Sequence, residues 1–169
     1  FVQRMAGSAN QLIEEFMLAA NREVARHLAD GTHPALYRVH DAPAEEQWAR
    51  MAEELHTLGM SVAPPRDRDD LNAIAQACRG TPLEYQVQLT LLRNLQRAIY
   101  MAEAKEHFGL AWLPYTHFTS PIRRYPDLVV HRLLQAADSG RALYSRRDWR
   151  TTPRNCPPRK RAPALPGPK

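Results

Sequence analysis

Two helix-start signals, five residues apart, constrain this chain more than any other feature. In the first, Ser120 precedes Pro121. A Ser side chain accepts a bond from backbone N–H groups that lack intrahelical partners, and Pro fits the first helical position. Pro126 with Asp127 repeats the signal, so a short turn should hand over to a longer helix. Leu128, Val130, Leu133, Leu134 and Ala137 give that helix an apolar face. Arg123 and Arg124 fall between the two starts, where guanidinium groups beside free N–H groups suit a phosphate. The plainer reading makes them surface charges or partners of nearby carboxylates, and these residues alone leave both open.

The chain has 169 residues, 44% of them hydrophobic, enough for one domain with a core. It opens on Phe1 rather than Met, which reads as an excerpt of a longer product. No apolar run reaches bilayer-spanning length and no basic-then-apolar leader opens it, so no membrane partner is expected. Cys78 and Cys156 stand far apart, a usage that suggests no disulfide framework and fits a reducing cytoplasm. The net charge of +5 divides unevenly: residues 144–169 carry +7 and residues 1–143 carry −2. Any charge-driven pull on nucleic acid should therefore come mainly from the tail. That tail has six prolines in its last seventeen residues and reads as disordered.

Taken in order, Ser8 and Gln11 have capping-box spacing for a helix running to about Leu28. Ile13, Phe16, Met17, Ala20, Val24 and Leu28 should face its core, with Glu14 and Asn21 together on the flank. A carboxylate and an amide there could bond a ligand hydroxyl; a solvated face is the simpler account. Leu36–His40 alternates as a short strand, and His40 at its end suits a structural hydrogen bond better than catalysis. A second helix should span Ala44 to Leu58 and stop at Gly59. Asp67, Asp69 and Asp70 could hold a divalent cation, but Asp at a helix start is explained by capping. Thr81-Pro82-Leu83-Glu84 should open a helix to about Ala104, with Leu83, Val87, Leu91, Leu95 and Ala98 inward and Arg93 and Arg97 on a solvated face. His107–Leu113 reads as a strand leading to Tyr115.

The run Thr119-Ser120-Pro121-Ile122-Arg123-Arg124-Tyr125-Pro126-Asp127 carries more than local physics. Preceded by His107-Phe108-Gly109-Leu110 and Tyr115, it closely resembles the ribonuclease II / ribonuclease R (RNB) family of exoribonucleases, on its ribonuclease R side. Leu12–Asn21 and Tyr37–His40 are similar to the family as well, and the likeness spans about Ser8 to Leu134. It corresponds to the C-terminal half of the catalytic domain. The resemblance implies hydrolysis of single-stranded RNA from its 3′ end to nucleoside monophosphates, with Mg²⁺ activating water. It also implies that the metal-binding aspartates lie upstream, in an N-terminal half of the domain that would be a partner of this segment. Asp67, Asp69 and Asp70 do not correspond to them.

The roles implied by the resemblance are as follows. Arg123 stabilises charge on the scissile phosphate, a task for which a guanidinium is well suited. Arg124 supports it or holds a neighbouring phosphate. Glu14, rather than Glu15, meets the RNA near its 3′ end and reads the 2′-hydroxyl. Tyr115 and Phe118 could contact the strand, although aromatics at such positions are more often core, and they rank below the arginines and Glu14. No metal ligand is assigned, and the isolated chain is expected to be inactive. The alternative is a non-catalytic RNA-binding module that uses Arg123, Arg124 and the tail; a third reading is a truncated product that does not fold stably. The expected fold is α+β: mostly helical, with a few strands of an incomplete sheet over residues 1–143, and a basic Pro/Arg-rich tail over 144–169.

Overall fold

A computed structural model of the chain describes residues 7–31 and 35–139. The tail expectation therefore lies outside the described residues. The fold is α+β: helix α1 (Ser8–Asp30), strand β1 (Tyr37–Val39), helices α2 (Glu45–Thr57), α3 (Arg68–Ala77) and α4 (Glu84–Asn94), strand β2 (Ile99–Met101) and helix α5 (Tyr125–Asp138). The two strands pair antiparallel, Tyr37 opposite Met101 and Val39 opposite Ile99. Two compact units emerge. One takes the described residues up to Val39, Ile99–His107 and those from Trp112 onward; the other takes His40–Ala98 and Phe108–Ala111.

The first unit is built on α1, the two strands and α5. Its core gathers Ala25, Leu28, Leu36, Tyr37, Val39, Val129, Val130 and Leu133, with Val24, Tyr100 and Phe118 packed against it. The apolar positions of α5 follow the expected stripe, shifted to include Val129 and Ala136, both buried. Helix α1 departs from expectation at its beginning. Its N-cap is Gly7, whose carbonyl accepts from Asn10 and Gln11, so Ser8 is already helical and makes no capping box. Ile13 and Phe16, expected in the core, are exposed by 57% and 62%; burial begins only at Asn21 and Ala25. The helical period is right, but only its second half has core to pack against.

The second unit packs α2, α3 and α4 around Met51, Leu55, Leu71, Ile74, Cys78, Val87 and Leu91, with Trp48 and Phe108 against them. Helix α2 opens where expected, the Gln47 side chain accepting from the Ala44 N–H at 2.9 Å. It is followed by Gly59 at φ +82, a backbone conformation that costs glycine little. Helix α3 is capped by Asp67, whose carboxylate accepts from Asp70 N–H at 2.9 Å. Asp70 in turn accepts from Arg66 N–H, so capping accounts for both groups.

Helix α4 ends at Asn94, ten residues short of the expected end at Ala104. Asn94 is buried, donating to the Thr90 carbonyl and Glu54 and accepting from Arg50 Nε at 2.7 Å. Just beyond, Ile99-Tyr100-Met101 pairs with β1 instead of continuing the helix, as β-branched and aromatic residues do when a strand is available. The stretch from His107 to Leu113 is no strand either: His107 and Trp112 form one isolated bridge around a turn, with Ala111 at φ 56.

Met51 is fully buried in the second unit. Met51→Ala is expected to cost about 2–5 kcal/mol through lost burial and the cavity left behind. Urea unfolding followed by circular dichroism reads this directly, as a fall in midpoint at unchanged slope.

Candidate functional site

The segment from Tyr115 to Asp127 is held from two sides within the first unit. On one side stands Asn21 of α1, 4% exposed. Its Oδ1 accepts from the backbone N–H of Phe118 at 2.8 Å and of Thr119 at 3.2 Å, and its Nδ2 donates to the Tyr115 hydroxyl at 3.0 Å. On the other side stands Asp127 of α5, fully buried. Its Oδ1 accepts from Ser120 N–H at 2.8 Å and from Arg124 Nη2 at 2.7 Å. His131, one turn further along α5, lies 3.0 Å from the Phe118 carbonyl through Nε2 and stacks on the Phe118 ring at 4.1 Å. The expected double start is present: Arg123 and Arg124 N–H return to the Ser120 carbonyl in a short turn, and α5 begins at Tyr125.

The two arginines consequently differ. Arg124 is committed to the buried carboxylate three residues on, its side chain only 25% exposed. Arg123 is exposed, and so is its neighbour Ile122. Of the two readings left open by sequence, carboxylate pairing describes Arg124, while Arg123 is a cation facing solvent.

Glu14 is exposed on α1. It precedes Asn21 by seven residues, about two helical turns, so the two share a face. Tyr115 is 3% exposed and packs against the rings of His107, Trp112 and His117. Burial raises its hydroxyl pKa above 10.0, opposed by the bond from Asn21 and by Arg124. Its surroundings make it a support for Asn21 within this chain. His40, set aside as a base, is buried and accepts from Gly109 N–H at 3.3 Å, a structural arrangement.

Sequence reading assigned no role to a polar group between the strands and this segment. His117 Nδ1 lies 2.7 Å from the Tyr100 hydroxyl, and the Arg38 guanidinium sits 4.7 Å from the Tyr100 ring centroid. Burial, with Arg124 and Arg38 adding to it, holds His117 down to about 4 from an ordinary 6.5. Asp127 was legible only as a helix-start residue; nothing in its spacing told that it would be buried.

Among the described residues no group of three or more His, Cys, Asp or Glu is placed to hold a metal ion. The donor set does not fit the family's divalent cation, because Asp67 and Asp70 cap α3 and Asp127 is paired with Arg124. No helix among the described residues is long and apolar enough to cross a membrane.

A family model described as RNB domain matches residues 1–140. The chain belongs to the RNB domain family. It is 39% identical over 149 residues to ribonuclease R 2 of Lactococcus lactis, covering 88% of this chain and 22% of that one. It is 44% identical over 137 residues to ribonuclease R of Aquifex aeolicus, covering 80% and 19%. Among solved structures, Mycoplasma genitalium RNase R in complex with ribose-methylated single-stranded RNA matches with a TM-score of 0.70 and 31% identity, over 79% of this chain and 21% of that one. This RNB chain therefore spans about a fifth of the length of the relatives it matches.

Two outcomes are expected at this segment. Asp127→Ala, which strands Arg124 and Ser120 N–H without their acceptor, should cost about 3 kcal/mol or more in urea unfolding. Below pH 6.5 the unfolded chain protonates His117, whereas the folded chain resists until about 4. Its stabilising contribution is thus complete above 6.5 and declines as pH falls through that window. His117→Asn should flatten the fall in urea midpoint between those two pH values relative to the parent.

Proposed function

We propose that this chain is the part of a 3′-to-5′ exoribonuclease catalytic domain that grips single-stranded RNA, and that bond cleavage depends on groups it does not itself carry. The observation that carries the reading is the arrangement around Arg123. Asp127 engages its neighbour Arg124, leaving one guanidinium at the start of α5 open to a phosphate. Membership of the RNB family and the likeness to an RNase R solved with single-stranded RNA support the substrate.

In this reading Arg123 neutralises charge on the scissile phosphate. Arg124 fixes the turn that presents it and adds positive potential behind it. Glu14 accepts a hydrogen bond from a ribose 2′-hydroxyl, which DNA lacks. Tyr115 acts on the RNA through Asn21. The family's Mg²⁺ would be held by the N-terminal half of the domain, and the exposed Leu12, Ile13 and Phe16 offer an apolar surface for such a partner. The products would be nucleoside monophosphates, and the setting the cytoplasm. A second reading, a non-catalytic RNA-binding module, draws on the +7 charge of residues 144–169.

Fluorescence anisotropy with a short unstructured oligoribonucleotide tests the assignment. Arg123→Ala should weaken binding about tenfold, as expected for one lost charge-assisted contact, and Arg123→Lys should fall between it and the parent. With Mg²⁺ present, no monophosphate should be released. Affinity indifferent to Arg123 but abolished by removing residues 144–169 would favour the second reading; released monophosphate would show that the chain carries its own nucleophile.

A further inference from the structure

We infer that Asn21 is a positioning residue for RNA recognition: it ties the Phe118–Arg123 segment to α1 and so sets the distance between Arg123 and Glu14. The inference rests on the roles proposed above for those two residues. One carboxamide oxygen accepts two consecutive backbone N–H groups, those of Phe118 and Thr119, and its nitrogen donates to Tyr115. The next N–H, that of Ser120, goes to Asp127, and the Phe118 carbonyl faces His131 Nε2. The backbone from Phe118 to Ser120 is thus pinned to α1 and to α5, and the turn bearing Arg123 projects from the pinned part.

Glu14 lies on the same face of α1 as Asn21, about two turns before it. A helix is stiff over that length, so the bond from Asn21 to the segment fixes where Arg123 stands relative to Glu14. A phosphate contact and a 2′-hydroxyl contact on one strand act together only if that spacing holds. An amide suits the position because it accepts two N–H groups and donates once without bringing a charge into the core. Aspartate keeps the acceptor, and the Tyr115 hydroxyl can turn to donate to its other oxygen. Leucine keeps the bulk and loses every bond.

The test compares the full chain with Asn21→Leu, Asn21→Asp and Tyr115→Phe. Two readouts are taken: amide exchange at Phe118 and Thr119, and the ratio of affinities for a short oligouridylate and its all-deoxy counterpart at fixed salt. The parent should favour the ribo form by about tenfold. Asn21→Leu should speed exchange at both amides and bring the ratio to about one, while some charge-driven affinity for both strands remains. Asn21→Asp should keep most of the ratio, and Tyr115→Phe, which removes one of the three bonds made by Asn21, should lower it in part. If Asn21→Leu does not fold, Asn21→Ala, which leaves room for water, takes its place with the same expectation. Faster exchange with an unchanged ratio overturns the inference, and so does unchanged exchange. A parent without ribo preference but with protected amides would sink the role of Glu14, and the coupling with it, while leaving the hold of Asn21 on the segment intact.

Discussion

A fully buried carboxylate is the constraint from which the rest of the site follows. Taking the Asp127 charge out of water costs several kcal/mol unless it is paired and hydrogen-bonded. Two partners are in reach, the Ser120 N–H and the Arg124 guanidinium, both meeting the same oxygen. Satisfying it therefore closes the chain between Ser120 and Asp127 into a corner of fixed shape. Pro121 and Pro126 favour that shape by restricting the backbone at both ends. The pairing also decides which arginine is free: position 124 lies one turn before Asp127, whereas position 123 points out beside exposed Ile122.

The corner would be a local device if the segment before it could drift. Asn21 prevents this, and Thr116, fully buried with its hydroxyl donating to the Leu36 carbonyl at 2.6 Å, ties the same segment toward β1. Arg38 N–H donates to the Tyr115 carbonyl at 2.8 Å and extends that tie. The interior of the first unit is thus crossed by polar groups that an apolar core would omit. In a low-dielectric interior an unpaired member of such a network costs more than a lost contact, and here Asp127 Oδ2 and Arg124 Nε are buried without a hydrogen-bond partner among the described residues. The bonds to Leu36, Asn21 and Asp127 hold the segment between β1, α1 and α5.

What the sequence disclosed tracks where local rules prevail. Helices α2, α3 and α5 have strong starts and full apolar stripes, and they begin within a residue or two of where those signals place them. Helix α4 and β2 show the limit. Nothing in the spacing of Leu91, Leu95 and Ala98 says the helix must stop at Asn94; there the Asn94 side chain bonds Arg50 and Glu54, 44 and 40 positions away. The exposed beginning of α1 is the same lesson from the other side, because periodicity reveals an apolar face but not what covers it. At the site, Arg123, Glu14 and Asn21 were visible as groups able to meet a ligand, yet that Asn21 and Asp127 would hold the Tyr115–Asp127 segment was not, since Asn21 read as a helix flank and Asp127 as a helix-start residue.

That asymmetry bears on what membership of the RNB family implies. Within the motif from Thr119 to Asp127, the exposed side chains are Ile122 and Arg123; the others are partly or wholly buried. Ser120 supplies an N–H, Arg124 neutralises Asp127, and Pro121 and Pro126 limit the backbone. The motif mostly encodes the construction of a corner that holds one cation in place. A sequence can keep that construction intact because folding requires it, whatever becomes of the reaction. Likeness here is therefore strong evidence for the architecture. Under the proposed function, chemistry would turn on Arg123 and on groups brought to it, and these would distinguish a working nuclease from a surface that only binds.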